Sequence, residues 1–308
     1  MEKTWECIVV GAGPAGLSAA LYMARFRRRV LVLHDGKSRA LRIPETHNVP
    51  GFPDGIEGPL LIERMTGHAR RYGAQVREAD VTAVRHDNVY VIETAGGERL
   101  ATEALVLATG LYLNEPPLPH AEHEAAIRAG VLRYCPVCDG FEHAGQRIAV
   151  LGCDAAGAGE ALFLRQYSDD VTLLPMAMPE LTGDQRRELA EAGVVVESRP
   201  VSRLLPGDAR FDIALAGTAE PLSFDVVYPA LGTRQRTELA AMLGVQLDEA
   251  GAVDAHAPLG TAIPGLYCAG DIVDGLDQIS VAMGHGAVAA TRAHNWLRVR
   301  SGEASRTG

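Results

Sequence analysis

The chain is short of cysteine: five in 308 residues, an odd number that does not suggest a secreted fold stapled by disulfides. It also lacks an excess of positive charge, because 29 Lys and Arg stand against 39 Asp and Glu, for a formal net charge of −10. A nucleic-acid partner, whose phosphates call for a basic surface, is therefore not expected. The one basic knot, Arg25-Phe26-Arg27-Arg28-Arg29, reads as a solvated helix end. No run approaches the roughly 18 apolar residues of a membrane span. The amino terminus passes directly into a strand-like run, without a signal-peptide pattern, so a cytoplasmic protein is expected.

What is present is Cys135-Pro136-Val137-Cys138-Asp139-Gly140. Two cysteines separated by two residues can close a small disulfide loop, in which one thiolate is often acidic enough to be nucleophilic near neutral pH. Half a zinc site is the alternative, but such a site needs four ligands. Cys7, Cys153 and Cys268 are isolated in apolar, strand-like surroundings, so the second pair is missing. No metal is expected, and a redox dithiol is favoured.

Two nucleotide-type units flank this pair. In the first, Cys7-Ile8-Val9-Val10 reads as a buried parallel strand. Gly11-Ala12-Gly13-Pro14-Ala15-Gly16 follows, then a helix from Leu17 to about Arg25 and a strand Val30-Leu31-Val32-Leu33. Gly11 makes the tight turn, Gly13 lets a pyrophosphate approach the backbone, and Gly16 lets helix pack on strand. The helix N-terminus then faces the phosphates with its partial positive charge. Asp35 is the expected acid for the ribose hydroxyls, with His34 equally compatible by register; Lys37, Ser38 and Arg39 come next and are candidates to line the phosphates. His47-Asn48-Val49-Pro50-Gly51-Phe52-Pro53 is a rigid turn-rich loop. A helix over 60–72, a small antiparallel set of strands (76–84, 89–93 and 99–100) and a buried strand ending in Ala108-Thr109-Gly110 complete the segment. Pro116, Pro117 and Pro119 mark a linker, with a domain boundary near residue 114.

The second unit keeps the architecture and loses the fingerprint. A strand over 147–152, a helix over 158–166 and a strand over 171–174 recur, but Gly152, Asp154 and Gly157 hold the three glycine positions. An aspartate in the middle fills the space that a pyrophosphate needs and faces its negative charge with another. The following strand ends in Pro175-Met176-Ala177-Met178, with no basic residue for the extra phosphate of NADPH. This unit reads as a dinucleotide fold that no longer binds dinucleotide, the alternative being compensation by other residues. Strands over 193–197 and 225–230 finish it, and Leu231-Gly232-Thr233 echoes Ala108-Thr109-Gly110. A last strand leads into Ala269-Gly270-Asp271, a carboxylate placed to accept from flavin ribityl hydroxyls. Asp277-Gln278-Ile279-Ser280 opens a final helix over 281–296, whose N-terminus suits the flavin pyrimidine edge.

Gly11 to Gly16, Ala108-Thr109-Gly110, Cys135 to Gly140, Leu231-Gly232-Thr233 and Gly265 to Asp271, in this order, resemble the low-molecular-weight thioredoxin reductase family over nearly the whole chain. The resemblance implies an α/β fold of two Rossmann-like, three-layer ββα domains, with FAD bound by a discontinuous domain (1–113 and 241–308). It also implies a dithiol-bearing domain (114–240) inserted into that one, and a homodimer. It implies that Cys138 faces the flavin, that Cys135 attacks the outside disulfide and that Asp139 handles protons. Asn48 matches an asparagine near the flavin ring and Gln278 a residue by its pyrimidine end; His143 and His285 are further proton-handling candidates. The missing Gly-x-Gly turn and arginine pair bring the chain closer to members without a working NADPH site. Some of those take electrons from a donor such as ferredoxin, and others oxidise small-molecule dithiols and pass electrons to oxygen. The expected function is an FAD-dependent thiol–disulfide oxidoreductase acting on a thioredoxin-like protein or a small disulfide, without NADPH. An ordinary NADPH-dependent thioredoxin reductase is the second reading and a dithiol oxidase the third.

Overall fold

The computed structural model describes residues 4–254 and 261–303; parts of the expected 241–308 segment, 255–260 and 304–308, lie outside the described residues. Strand β1 (Trp5–Val10) is buried and apolar on both faces from Cys7 onward, and parallel sheets place such strands at their centre. Helix α1 (Pro14–Arg25) begins on a proline, which has no N–H to satisfy in the first turn. After β2 (Val30–His34) come a 3₁₀ turn (Arg39–Arg42), helix α2 (Gly58–Arg71) and strands β3 (Gln75–Glu78), β4 (Val81–His86), β5 (Tyr90–Thr94) and β6 (Arg99–Leu107). These strands form one sheet in the order β3-β2-β1-β6-β5-β4.

The expected single strand over 76–84 is two. β3 continues the sheet in parallel with β2, whereas β4 pairs antiparallel with β5. The corner lies at Ala79-Asp80, pinned by the Ala79 N–H on the His34 carbonyl and by the Ala95 N–H on the Asp80 carbonyl. No glycine or proline marks it, so the local pattern reads straight through. The antiparallel set is accordingly part of the main sheet rather than a separate one.

The chain then crosses through β7 (Leu111–Leu113) to helix α3 (His120–Ala129), which Gly130 ends in the left-handed region at φ 82°. The single turn α4 (Pro136–Asp139) carries the dithiol. Strand β8 (Ile148–Leu151), helix α5 (Ala155–Leu164), strand β9 (Val171–Leu174), helix α6 (Gly183–Glu191) and the short β10 (Val195–Val196) build the second unit. The antiparallel strands β11 (Val201–Pro206), β12 (Phe211–Leu215) and β13 (Leu222–Phe224) follow, and β14 (Val226–Pro229) closes a parallel sheet of order β10-β9-β8-β14. The expected 193–197 strand is thus only two residues long, because Gly193 sits at φ 76° in the turn before it. Ile127, Leu151, Phe211 and Phe224 fill the layer between this sheet and the three antiparallel strands.

The return crossing, β15 (Thr233–Gln235), pairs antiparallel with β7. Helix α7 (Glu238–Met242) leads back to the first half, where β16 (Leu266–Cys268) adds in parallel to the carboxyl end of β6. The last helix, α8 (Ile279–Arg300), packs on α1 at backbone contact: a Cβ on Gly286 would lie 2.1 Å from the Ala15 carbonyl oxygen. The architecture is α/β, with two Rossmann-like three-layer halves. No helix among the described residues is long and apolar enough to cross a membrane, and no cluster of three or more His, Cys, Asp or Glu side chains among them could hold a metal.

Candidate redox active site

The two strand–turn–helix units share a turn geometry and differ, at the three glycine positions, only in the middle one. Gly11 and Gly152 both adopt positive φ, 111° and 123°, where an L side chain is strained. At the third position the packing is closer still. A Cβ on Gly16 would lie 1.9 Å from the Gly11 carbonyl oxygen, and one on Gly157 would lie 1.8 Å from that of Gly152. At the middle position Gly13 leaves α1 with no side-chain cap, so its first N–H groups remain free for an anion. Asp154, by contrast, caps α5 with its own carboxylate, which accepts the Gly157 N–H at 2.9 Å. The positive end of the second helix is therefore already met by a negative charge. Glu160, further along α5, has its carboxyl pushed up to about 7 by burial and by the Asp154 charge.

A cleft of about 290 Å³ opens at the carboxyl ends of β1, β2 and β6. Gly11, Gly13, Pro14 and Ala15 line one wall, His34, Asp35, Lys37 and Arg39 a second, and Thr109 and Gly110 a third; Gly270, Asp271, Gln278 and Ile279 close the far end. Gly16 acts behind the wall, as the close-packing glycine. The Asp35 carboxylate accepts the Lys37 N–H at 3.0 Å and the Arg236 guanidinium at 2.6 Å. Burial opposes ionisation there, but these two donors hold its carboxyl below the usual range. The His34 ring accepts the Gly36 N–H, so between the two candidates only Asp35 points charge into the cleft wall. Asp271 pairs with Arg39 at 3.0 Å, and burial keeps its carboxyl raised despite that cation and His285.

FAD fits this arrangement: the open helix start of α1 suits a pyrophosphate, and a carboxylate stands at each end of the cleft. Asp35 and Asp271 are acceptors of the kind that the hydroxyls of a ribose and of a ribityl chain call for.

A smaller hollow, of about 110 Å³, continues the cleft toward the dithiol and is lined by Asn48, Gln278, Cys135, Cys138 and Asp139. Cys135 and Cys138 are joined in a disulfide across α4. The Gln278 amide nitrogen stands 3.4 Å from the Cys135 sulfur and 3.5 Å from that of Cys138. Asn48 bridges the halves, donating to the Gln278 amide oxygen at 2.9 Å and to the Val137 carbonyl at 3.5 Å. Behind the pair, the Asp139 carboxylate accepts the Tyr228 hydroxyl at 2.7 Å and lies 3.5 Å from the Arg133 guanidinium. Burial raises its carboxyl above the ordinary value, opposed by those two groups and by His143. His143 is turned to Gln146 and packs edge-on against Tyr228, and His285 lies against Asp271; neither is bonded to a sulfur.

Arg236, Tyr228, Thr46 and Arg42 belong to the site without having been expected there. Tyr228 carried one signal, a hydroxyl in an otherwise apolar buried strand (Val226–Pro229), which must find a partner. Arg42 reaches across from the first half to Glu115 at 2.7 Å and Glu124 at 2.6 Å. Nothing local to its sequence announces that reach.

Residues 5–286 match the pyridine nucleotide-disulphide oxidoreductase family. A thioredoxin reductase of Mycolicibacterium smegmatis is 30% identical over 307 residues, covering 96% of this chain and 97% of that protein. Among solved structures, one described as HlmI is 30% identical with a TM-score of 0.88, covering 98% of this chain and 96% of its own. The atypical thioredoxin reductase TRi from Desulfovibrio vulgaris Hildenborough is 31% identical with a TM-score of 0.54, covering 99% of this chain and 100% of its own.

Proposed function

We propose, because this chain belongs to the pyridine nucleotide-disulphide oxidoreductase family and is a flavin-dependent, thioredoxin reductase-like disulfide oxidoreductase, that its dithiol receives electrons from a donor other than NADPH. The observation that carries this reading is the Asp154 carboxylate on the Gly157 N–H, at the helix start where the pyrophosphate of a nicotinamide cofactor would sit. The flanking Pro175-Met176-Ala177-Met178, with no cation, supports it. A ferredoxin-like protein is the donor class we favour. In keeping with the division of the sheets, we take 1–113 and 241–308 as the FAD half and 114–240 as the inserted dithiol half. The assembly we propose is a homodimer.

Bound FAD supplies two-electron exchange with the dithiol. The chain's own residues do the rest. The Cys135 thiolate attacks one sulfur of a substrate disulfide, forming a mixed disulfide and releasing the other sulfur as a thiolate. Cys138 then attacks the Cys135 sulfur, which re-forms the internal disulfide and frees the second substrate thiolate. Asp139, held by Tyr228, gives and takes the proton that these steps require. Val137 and Phe141, 48% and 77% exposed, flank the pair with apolar surface suited to a thioredoxin-like partner or a small apolar disulfide.

The second reading, a conventional NADPH-dependent thioredoxin reductase, is favoured by the name that the Mycolicibacterium relative carries. Anaerobic titration of the yellow protein with NADPH and NADH separates the two. We expect the flavin absorbance to persist with either nucleotide and to bleach with dithionite or a small dithiol. Bleaching at near-stoichiometric NADPH would overturn the proposal in favour of the conventional enzyme.

A further inference from the structure

Gln278 caps the last helix in sequence position only, because its side chain makes no cap hydrogen bond and is used elsewhere. Its orientation follows from a chain of donors that begins at Thr46. That residue is buried, and its backbone is paired with Ile56. The Thr46 hydroxyl donates to the Asn48 amide oxygen at 3.0 Å, which turns the Asn48 NH₂ toward Gln278. Asn48 donates to the Gln278 oxygen at 2.9 Å, which leaves the Gln278 NH₂ nearest both sulfurs, at 3.4 and 3.5 Å, while the oxygen lies 3.7 Å from the Cys138 sulfur. An amide whose orientation would otherwise be ambiguous is thus fixed by its network.

Disulfide sulfur is a weak acceptor and thiolate a strong, charged one, so this contact gains strength only on reduction. Two electrons and one proton break the S–S bond and leave one thiol and one thiolate; a second proton removes the thiolate. We propose that Gln278 is a catalytic residue of the dithiol step. Its amide, oriented by Thr46 and Asn48 as positioning residues, stabilises the thiolate formed when Cys135–Cys138 is reduced. This rests on the pair being the redox centre and not on the identity of the electron donor.

Most charges around the pair are engaged elsewhere. Asp277, which lines the same hollow, has its carboxyl pushed up to about 6 by burial and by Asp271, and once ionised it is a like charge that the Gln278 amide works against. Asp139 is bonded to Tyr228 and faces Arg133, and Glu142 lies 3.4 Å from His47, which also faces Glu45. Arg39 is held by Asp271 and the Asp277 carbonyl, and Arg42 by Glu115 and Glu124. Among the described residues, Gln278 is the one side chain whose N–H groups reach the sulfurs.

The test is thiol reactivity rather than turnover. The flavin-loaded protein is reduced anaerobically with excess dithiothreitol, pulsed with iodoacetamide across a pH series and mapped by peptide mass at Cys135 and Cys138. A charge-assisted hydrogen bond is strong enough that Gln278→Leu should move the midpoint of the more reactive cysteine up by about one pH unit, or tenfold less thiolate below it. Gln278→Glu should move it further, by adding a like charge, and Thr46→Val should move it in the same direction by less. Midpoints coincident with wild type in Gln278→Leu and Thr46→Val would overturn the proposal. If Gln278→Leu loses its flavin, Thr46→Val decides, since Thr46 touches neither sulfur. Failure of both cysteines to alkylate at any pH after reduction would instead strike the redox-pair assignment itself.

Discussion

Replacing Asp154 should restore nucleotide affinity to the second unit, in two separable increments. A unit negative charge about 4 Å away repels a phosphate by about 1 kcal/mol in bulk water and about 4 kcal/mol at an effective dielectric of about 20. Asp154 is exposed, so the lower end applies, and a pyrophosphate presents two charges. Removing the carboxylate charge should therefore gain about 2 kcal/mol, which is on the order of 30-fold in Kd for NADPH. Asp154→Asn removes the charge but keeps an equally good N-cap, so it isolates the electrostatic part. Asp154→Gly also frees the Gly157 N–H and the volume of the side chain, at a cost of only a few tenths of a kcal/mol in helix stability. Its backbone, at φ −125°, needs no special residue, so the fold should tolerate both substitutions. Isothermal titration with NADPH at low salt, on flavin-loaded wild type and both variants, gives the comparison. The expected order of affinity is wild type weakest, then Asn, then Gly. Equal affinities in the three proteins, or tight binding by wild type, would refute the reasoning, since the carboxylate would then not oppose the cofactor.

Further outcomes follow from the first half and from the acid behind the dithiol. Gly13→Ala should leave the fold intact, because its Cβ meets only the Ser38 hydroxyl at 3.3 Å, yet should lower FAD occupancy on purification. Gly11→Ala, with its Cβ 2.1 Å from the Ala108 carbonyl at φ 111°, should cost several kcal/mol and lower the melting temperature of the protein stripped of flavin as well. Tyr228→Phe removes a donor to ionised Asp139, whose carboxyl burial has already raised, so the acid limb of the disulfide-exchange pH profile should move to still higher pH. The folded protein holds that proton more tightly than the unfolded chain does. The contribution of Asp139 to stability is therefore largest at low pH and declines as pH rises from the ordinary carboxylate value to the raised one, which melting curves of wild type and Asp139→Asn across that range would show.

The glycines of both turns were legible because their requirement is local: a positive φ and a helix lying on its own preceding strand need no distant partner. The dithiol was legible for the same reason, its spacing being a property of four residues. What escaped is long-range. Arg236 reaches Asp35 across 201 positions, Tyr228 reaches Asp139 across 89, and Gln278 reaches the Cys138 sulfur across 140. Resemblance placed Gln278 by the flavin, but only the folded chain turns its amide to the disulfide. The corner at Ala79-Asp80 was missed because tertiary hydrogen bonds hold it, in place of the glycine or proline that would have advertised it.

The ribbon of β7 and β15 has a mechanical consequence. A half inserted into another must be joined by two chain crossings, and two separate tethers would restrain it at two anchorage points. Here the crossings are zipped side by side over Leu111–Leu113 and Thr233–Gln235, so they act as a single post. That post is fastened at its foot, where the Thr109 hydroxyl holds the Arg236 carbonyl and the Arg236 guanidinium grips Asp35. On the proposed division, a swing of the dithiol half would twist this one short ladder. It would also have to break the contacts that cross beside it, Arg42 to Glu115 and Glu124, Asn48 to Val137 and His47 to Glu142. Torsional stiffness of the ladder is then set by residues in the strands, whereas the ion pairs among the crossing contacts weaken with salt.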